Sequence, residues 1–387
     1  MKKVIMFLGL VMVSFFCCSQ TSVQAVEFKG DSKSAIIMEA STKTILYEKE
    51  AHTPLAPASM TKMMSMYLVL EAIDRDVLAW DDVLTISEYA ASLGGSQIWL
   101  KPGEEMSVED LFKSVAIASA NDSITALAEA VSGTEEAFVK AMNERAEEFG
   151  MKNTVFKNPT GLTADGHMTS AYDMALLAQR LLTDYEEVTT YTSMYEDYIR
   201  EDSESPSWLV TTNKLVKYVD GVDGLKTGST DEAGFCLTAT AKREEMRVIT
   251  VVMGASSSAK RNAETTEMIE YAYSQYEVVP QLSKGQVIDH PSHFLVKNQS
   301  YDVVLTEDIN ILKEKVAPLV KGEYEIVYDE ALDFPIEVGE KIGAFNYYYQ
   351  GKLVQSVPLS VKERVDKNSF VGLFTQIFSE LLFGEDA

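Results

Sequence analysis

Pro57-Ala58-Ser59-Met60-Thr61-Lys62 is the stretch from which the rest of this chain is read. Proline suits the first turn of a helix, and the apolar-rich run Met60 to Ile73 carries no breaker. Ser59 is therefore expected at a helix N-terminus, with Lys62 one turn further on. Serine is a weak nucleophile until a base takes its proton, and a lysine three residues later on a helix lies within reach of the hydroxyl. To act as that base, the lysine must lose its own proton near neutral pH, which requires desolvation or a neighbouring positive charge. A four-residue Ser-x-x-Lys pattern arises by chance in most chains of this length, so by itself it says little.

Working outward, two further short motifs follow in order, Ser119-Ala120-Asn121 and Lys226-Thr227-Gly228. Ser107 with Asp110 reads as a capping box opening a helix through Ala118, and Ile124 to Val131 reads as a second helix, which puts Ser119-Ala120-Asn121 in the turn between them. Lys226 begins in a strand: Gly224 to Gly228, Phe235 to Ala241 and Arg247 to Met253 are successive strand-like runs, and Ala263 to Tyr276 returns to helix. Lys226 supplies the positive charge that Lys62 needs if folding brings the two together. Upstream, Ser34 to Ala40 and Thr44 to Glu48 read as a hairpin, while Thr134 to Phe149 and Ser170 to Leu182 are amphipathic helices. Hairpin, helices, strands, helix is an α/β (α+β) order.

After Pro280 the pattern changes to short strands between turns: Gln286 to Val296, Tyr301 to Leu305, Tyr324 to Asp329 and Lys352 to Val361. They imply a second, small all-β domain. The segment Lys367 to Phe383 places Phe370, Leu373, Phe374, Ile377, Phe378, Leu381 and Leu382 on one helical face. It is too short and too polar to span a bilayer. Its apolar face either lies in a membrane interface or docks on the protein's own core or a partner. The lack of Lys and Arg on its polar face counts against the first reading, and its terminal position favours it. The expected division is 1–25 signal peptide, 26–279 catalytic domain, 280–363 β domain and 364–387 attachment helix.

Lys2 and Lys3, the apolar stretch Val4 to Cys18 and the small-residue site Val23-Gln24-Ala25 make up the signal peptide. An uncleaved anchor is the alternative, and either exports the body. Among 387 residues, 34 Lys and Arg face 59 Asp and Glu, a net charge of -25 that repels phosphate backbones. Nucleic acid is therefore not an expected partner. With 46% hydrophobic and 24% charged residues, the chain is globular rather than disordered or polytopic. Cys17 and Cys18 fall in the leader, and Cys236, between Phe235 and Leu237, is expected to be a buried structural thiol. His52, His167, His290 and His293 have no metal-binding spacing, so no metal and no cofactor is implied; His167 reads as a loop or packing residue.

The wording around the three motifs is also specific: Asn158-Pro159-Thr160-Gly161-Leu162, and Ala233-Gly234-Phe235-Cys236-Leu237 after Lys226-Thr227-Gly228. With these residues in view the chain resembles the low-molecular-mass D-alanyl-D-alanine carboxypeptidases, the penicillin-binding protein 5-like serine peptidases, over nearly its whole exported length. The resemblance implies a transpeptidase/β-lactamase-like catalytic domain and a small β domain. The terminal amphipathic helix would attach the exported protein to the outer face of the cytoplasmic membrane.

The resemblance also implies roles. Ser59 is acylated by the penultimate D-alanine of a peptidoglycan pentapeptide, Lys62 is its general base and Ser119 relays a proton to the leaving amine. Asn121 holds the acyl-side amide, and Lys226 and Thr227 engage the terminal carboxylate. The backbone N–H groups of Ser59 and of Ser229, just after Gly228, form the oxyanion hole. Arg261 either supports the carboxylate site or is structural. β-Lactams are expected to acylate Ser59.

Position 120 is Ala where many relatives carry Gly, an exchange the turn should tolerate. A β-lactamase would share the three motifs but add a water-activating glutamate; no Glu-x-x-Leu-Asn occurs between Asn121 and Lys226, and Asn153 to Gly161 holds no carboxylate. A penicilloyl adduct on Ser59 should therefore persist. A transpeptidase would pass the acyl group to an amine, but the bifunctional ones are much longer chains. A binding module without activity would not need the full set of polar groups present here.

Overall fold

In the computed structural model, which describes residues 28–201, 206–329 and 332–383, a five-stranded sheet forms the frame. Its antiparallel strands lie in the order Ile45–Lys49, Ser34–Glu39, Met246–Ala255, Gly234–Arg243 and Val222–Thr230. The hairpin at the start of the chain thus joins strands from more than two hundred residues later, pairing Ser34 with Met253 and Glu39 with Val248. Side chains alternate across a strand, and here both faces are buried. Ile36 and Met38 pack into one core with Ile249, Val251 and Met253, while Ala35 and Ile37 pack into another with Val248 and Val252. Cover on both faces accounts for the near-continuous apolar runs of these strands.

The first core is closed by helices Lys62–Asp74, Val108–Ala118, Asn121–Ser132, Glu135–Glu148 and Ala171–Asp184, and the second by Ser258–Gln275. Short polar residues set their starts. The Ser107 hydroxyl accepts from Asp110 N at 3.1 Å, Thr134 from Ala137 N at 3.2 Å and Ser170 from Asp173 N at 3.1 Å, each cap contributing about 1 kcal/mol. Ser257 does the same for Lys260 N at 3.2 Å, so the helix over the second core begins at Ser258, earlier than the expected Ala263. It stops at Gln275 because Tyr276 already belongs to a strand.

That strand, Tyr276–Leu282, pairs with Ile309–Glu314 and carries Pro280 at an irregularity in the register, where a missing N–H is tolerated. A second five-stranded sheet follows, in the order Val287–Asp289, Val303–Leu305, Lys352–Val361, Gly343–Tyr349 and Glu323–Tyr328, over a separate core that includes Phe345, Val357 and Leu359. The strand expected over Gln286 to Val296 shrinks to Val287–Asp289 because Pro291 cannot donate to a ladder. Gly343–Tyr349 alternates strictly between buried and half-buried positions, a period that its run of aromatics hides in the sequence.

The terminal helix spans Phe370–Phe383, and Phe370, Phe374, Ile377 and Phe378 on it are exposed. Among the described residues no helix is long and apolar enough to cross a membrane. The segment read as a signal peptide, residues 1–25, lies outside the described residues.

Candidate active site

Three elements converge at one edge of the main sheet. Ala58–Thr61 is a single 3-10 turn, and the α-helix proper begins at Lys62, so Ser59 sits on the tighter turn and not on the helix as the sequence suggests. The i to i+3 spacing of a 3-10 turn brings the pair directly together: Lys62 Nζ donates to Ser59 Oγ at 3.1 Å. Ala58 just before it has φ +48°, a left-handed conformation that costs an alanine about 1–2 kcal/mol and aims the next residue outward.

Two close approaches fix this turn. A Cβ added to Gly228, on the edge strand, would lie 2.8 Å from Pro57 O, and one added to Gly161, at φ +81°, would lie 1.9 Å from Ala58 O. Only glycine lets both backbones reach the nucleophile turn. The loop bearing Gly161 is shaped by Asn158, whose Oδ1 accepts from Thr160 N at 3.2 Å, Thr160 Oγ1 at 2.9 Å and Gly161 N at 2.7 Å. This turn presents the Thr160 carbonyl to Lys62 Nζ at 2.6 Å.

Lys62 is fully buried and makes a third bond, to Asn121 Oδ1 at 2.6 Å. The orientation of that amide is set from its other end, where Nδ2 donates to Gly94 O at 2.7 Å. Burial, and after it the charge of Lys226, hold the Lys62 ammonium well below the ordinary lysine range; Asp122 pulls the other way. Asp122 is itself buried and accepts from the backbone N–H groups of Ile98, Leu100 and Ser123. Lys226 is buried as well, and desolvation with the charge of Arg261 lowers its pKa to about 7.

Ser119 closes the helix Val108–Ala118 in a left-handed conformation, φ +64°, and its buried hydroxyl has no hydrogen-bond partner among the described residues. Ser59, Ser119, Thr227, Gly228, Ser229 and Arg261 line one cleft of about 310 Å³, together with Ser96, Thr212, Phe235 and Ser258. The structure thus gathers Ser119, Thr227, Gly228, Ser229 and Arg261 with Ser59 in one cleft. Lys62 and Asn121 form the floor behind it, and Lys226 is buried next to the cleft residue Thr227. Arg261 reaches the cleft wall with Nη1 3.4 Å from Cys236 O.

Sequence reasoning missed several groups. The Thr160 acceptor is a backbone carbonyl, invisible in side-chain identity. Thr212, whose Oγ1 accepts from Thr227 Oγ1 at 2.7 Å, belongs to no motif. Asp122 adjoins Asn121, which was the available signal. His167 lies behind the turn in a packing role, with Nε2 2.9 Å from Thr61 Oγ1 and a pKa lowered to about 4 by burial and Lys157. Cys236 is buried, and its thiol is pushed up to about 11, as an inert structural cysteine requires.

The family model for D-alanyl-D-alanine carboxypeptidase matches residues 19–257, more than half of the chain. The chain belongs to this family. The model for the C-terminal domain of penicillin-binding protein 5 matches residues 276–367. Across 376 residues, covering 96% of each chain, this carboxypeptidase is 43% identical to the D-alanyl-D-alanine carboxypeptidase DacF of Bacillus subtilis. Its fold matches crystal structures of penicillin-binding protein 5 from Haemophilus influenzae with a TM-score of 0.72 at 28% identity, covering 88% of this chain and 99% of that one. It also matches penicillin-binding protein D2 of Listeria monocytogenes in its ampicillin-bound form with a TM-score of 0.58 at 32% identity, covering 64% and 100%. The fold is thus the transpeptidase/β-lactamase-like domain followed by an all-β domain.

Proposed function

We infer that this protein is a serine D-alanyl-D-alanine carboxypeptidase that removes the terminal D-alanine from peptidoglycan pentapeptides through an acyl-enzyme on Ser59. One observation carries the reading: a fully buried lysine, starved of solvent and facing a second buried lysine, donates to the hydroxyl of a serine that opens into a cleft. Neutral Lys62 takes the Ser59 proton as Oγ attacks the penultimate carbonyl. The backbone N–H groups of Ser59 and Ser229 stabilise the developing oxyanion. The proton passes by way of the free Ser119 hydroxyl to the departing D-alanine nitrogen. Asn121 Nδ2 and Oδ1 are pinned by Gly94 and Lys62, which keeps the amide in place for the acyl-side peptide. Lys226, Thr227 and Arg261 gather positive charge and a hydroxyl for the terminal carboxylate.

Hydrolysis then needs a water whose proton Lys62 takes once it is neutral again. The loop 153–161, where a lactamase would place its glutamate, offers the Thr160 carbonyl instead. β-Lactams should therefore acylate Ser59 and stay, which agrees with the Listeria relative having been solved with ampicillin bound. The expected result with a synthetic pentapeptide is release of one D-alanine per peptide, read by mass spectrometry; a pentapeptide left intact by a protein that labels with penicillin would sink the assignment.

The same reading assigns 1–25 to a signal peptide, 26–279 to the exported peptidase, 280–363 to the β domain and 364–387 to a membrane-attachment helix. Exposed Phe370, Phe374, Ile377 and Phe378 on the terminal helix support the last of these, since such a face is unfavourable in water. Removing residues 367–387 should release the protein from lipid vesicles in a sedimentation assay. Unchanged sedimentation would assign attachment elsewhere.

A further inference from the structure

Of the three tryptophans, Trp80 packs against Phe112 and Tyr191, but Trp99 and Trp208 are 74% and 59% exposed. Large aromatics left in water mark ligand surfaces when the fold holds them there. It does so twice. Trp99 has φ +60°, and the residues on either side are buried and tied down: Asp122 Oδ2 accepts from both Ile98 N and Leu100 N at 3.1 Å. The backbone strain, about 1–2 kcal/mol, turns the indole out of the core. Trp208 lies opposite Tyr198 on the outer face of the hairpin Glu196–Ile199 and Ser207–Val210, whose Leu209 and Ile199 face inward. Tyr198 is exposed as well.

One guanidinium joins the two supports. Arg200 Nη1 donates to Ile98 O at 3.2 Å and to Ser207 Oγ at 2.9 Å, each next to one of the tryptophans, and Nε donates to Glu104 at 2.7 Å. Both supports run into the cleft. Trp99 follows Ser96, and Trp208 precedes Thr212, both of them cleft residues; Ser96 O accepts from Asn121 N at 2.7 Å.

We propose that Trp99 and Trp208, with Tyr198, form a saccharide platform beside the cleft that receives the N-acetylated hexosamine strand carrying the pentapeptide. The proposal rests on the carboxypeptidase reading. That substrate is a peptide whose far end is joined to sugar, so the surface continuous with the cleft meets either peptide or pyranose. Rigid, exposed aromatic faces suit the flat C–H faces of pyranose rings better than an extended peptide, which needs backbone partners.

The experiment compares kcat/KM for free pentapeptide and for pentapeptide linked to a tetrasaccharide, in the wild type and in Trp99→Ala/Trp208→Ala. The wild type should favour the glycan-linked substrate, and the double substitution should lower that preference about tenfold. Trp99→Phe/Trp208→Phe should retain most of it. Equal turnover of both substrates by the wild type, or a preference untouched by the alanines, overturns the platform; so does equal loss on both substrates, which would assign the aromatics to the peptide. If the wild type cleaves neither substrate, the carboxypeptidase reading falls. Quenching of indole fluorescence by peptide-free glycan strands then decides the platform, with no change in fluorescence counting against it.

Discussion

Ser59→Ala is expected to abolish both labelling by radioactive penicillin and D-alanine release, with kcat/KM lower by at least about 10,000-fold. In the proposed mechanism the oxygen removed is the atom that becomes bonded to substrate, so no neighbouring group can substitute for it. Ser119, one of the other hydroxyls lining the cleft, is buried at the end of another helix, and Lys62 Nζ bonds Ser59, Asn121 and Thr160 instead. The fold should survive. Ser59 is half-buried and, among the described residues, its only side-chain bond is the one from Lys62, so the change in stability should stay within about 1 kcal/mol. A melting temperature close to wild type, measured together with the lost labelling, separates chemistry from unfolding. Stable labelling of the alanine variant would remove Ser59 from its role.

The second large effect belongs to Lys62→Met, which keeps the volume of the side chain and removes the base. An ordinary lysine is deprotonated to only about 0.04% at pH 7, too little to serve. Burial and the nearby Lys226 charge both push Lys62 toward the neutral form, and that is what makes it usable. Methionine should lower the acylation rate about 1,000-fold, with the residual rate independent of pH on the acid side. In the wild type the sign is fixed: the base must be neutral, so acylation is present above the Lys62 pKa and lost as pH falls through it.

Lys226 sets the opposite limb. With a pKa lowered to about 7, it loses its charge as pH rises, and affinity for the substrate carboxylate should fall with it. Lys226→Arg should abolish that alkaline loss, because a guanidinium stays charged throughout. A pH profile of kcat/KM for wild type and the two variants reads both limbs. An acid limb that persists in Lys62→Met would assign the base elsewhere.

Much of this was legible in the chain itself. The hairpin, the helices capped by Ser107, Thr134 and Ser170, the strand bearing Lys226 and the final strand Lys352–Val361 follow from local period and capping chemistry, which act over a few residues. The strands Tyr276–Leu282, Ile309–Glu314 and Gly343–Tyr349 did not. The first two pair with each other across some thirty residues, and one contains a proline that only an irregular register accommodates; in the third, the run of aromatics hides a period that burial alone reveals.

The same divide runs through the site. The three motifs, through the family resemblance they carry, implied from the sequence which side chains meet, Ser59 and Lys62 with Ser119, Asn121, Lys226 and Thr227. Tertiary structure alone decided what those side chains became. The 3-10 turn under Ser59, the Thr160 carbonyl held against Lys62 and the burial that strips two ammonium groups of water depend on residues some hundred positions apart in sequence. A lysine's proton affinity is set by its surroundings, and surroundings are a property of the folded chain.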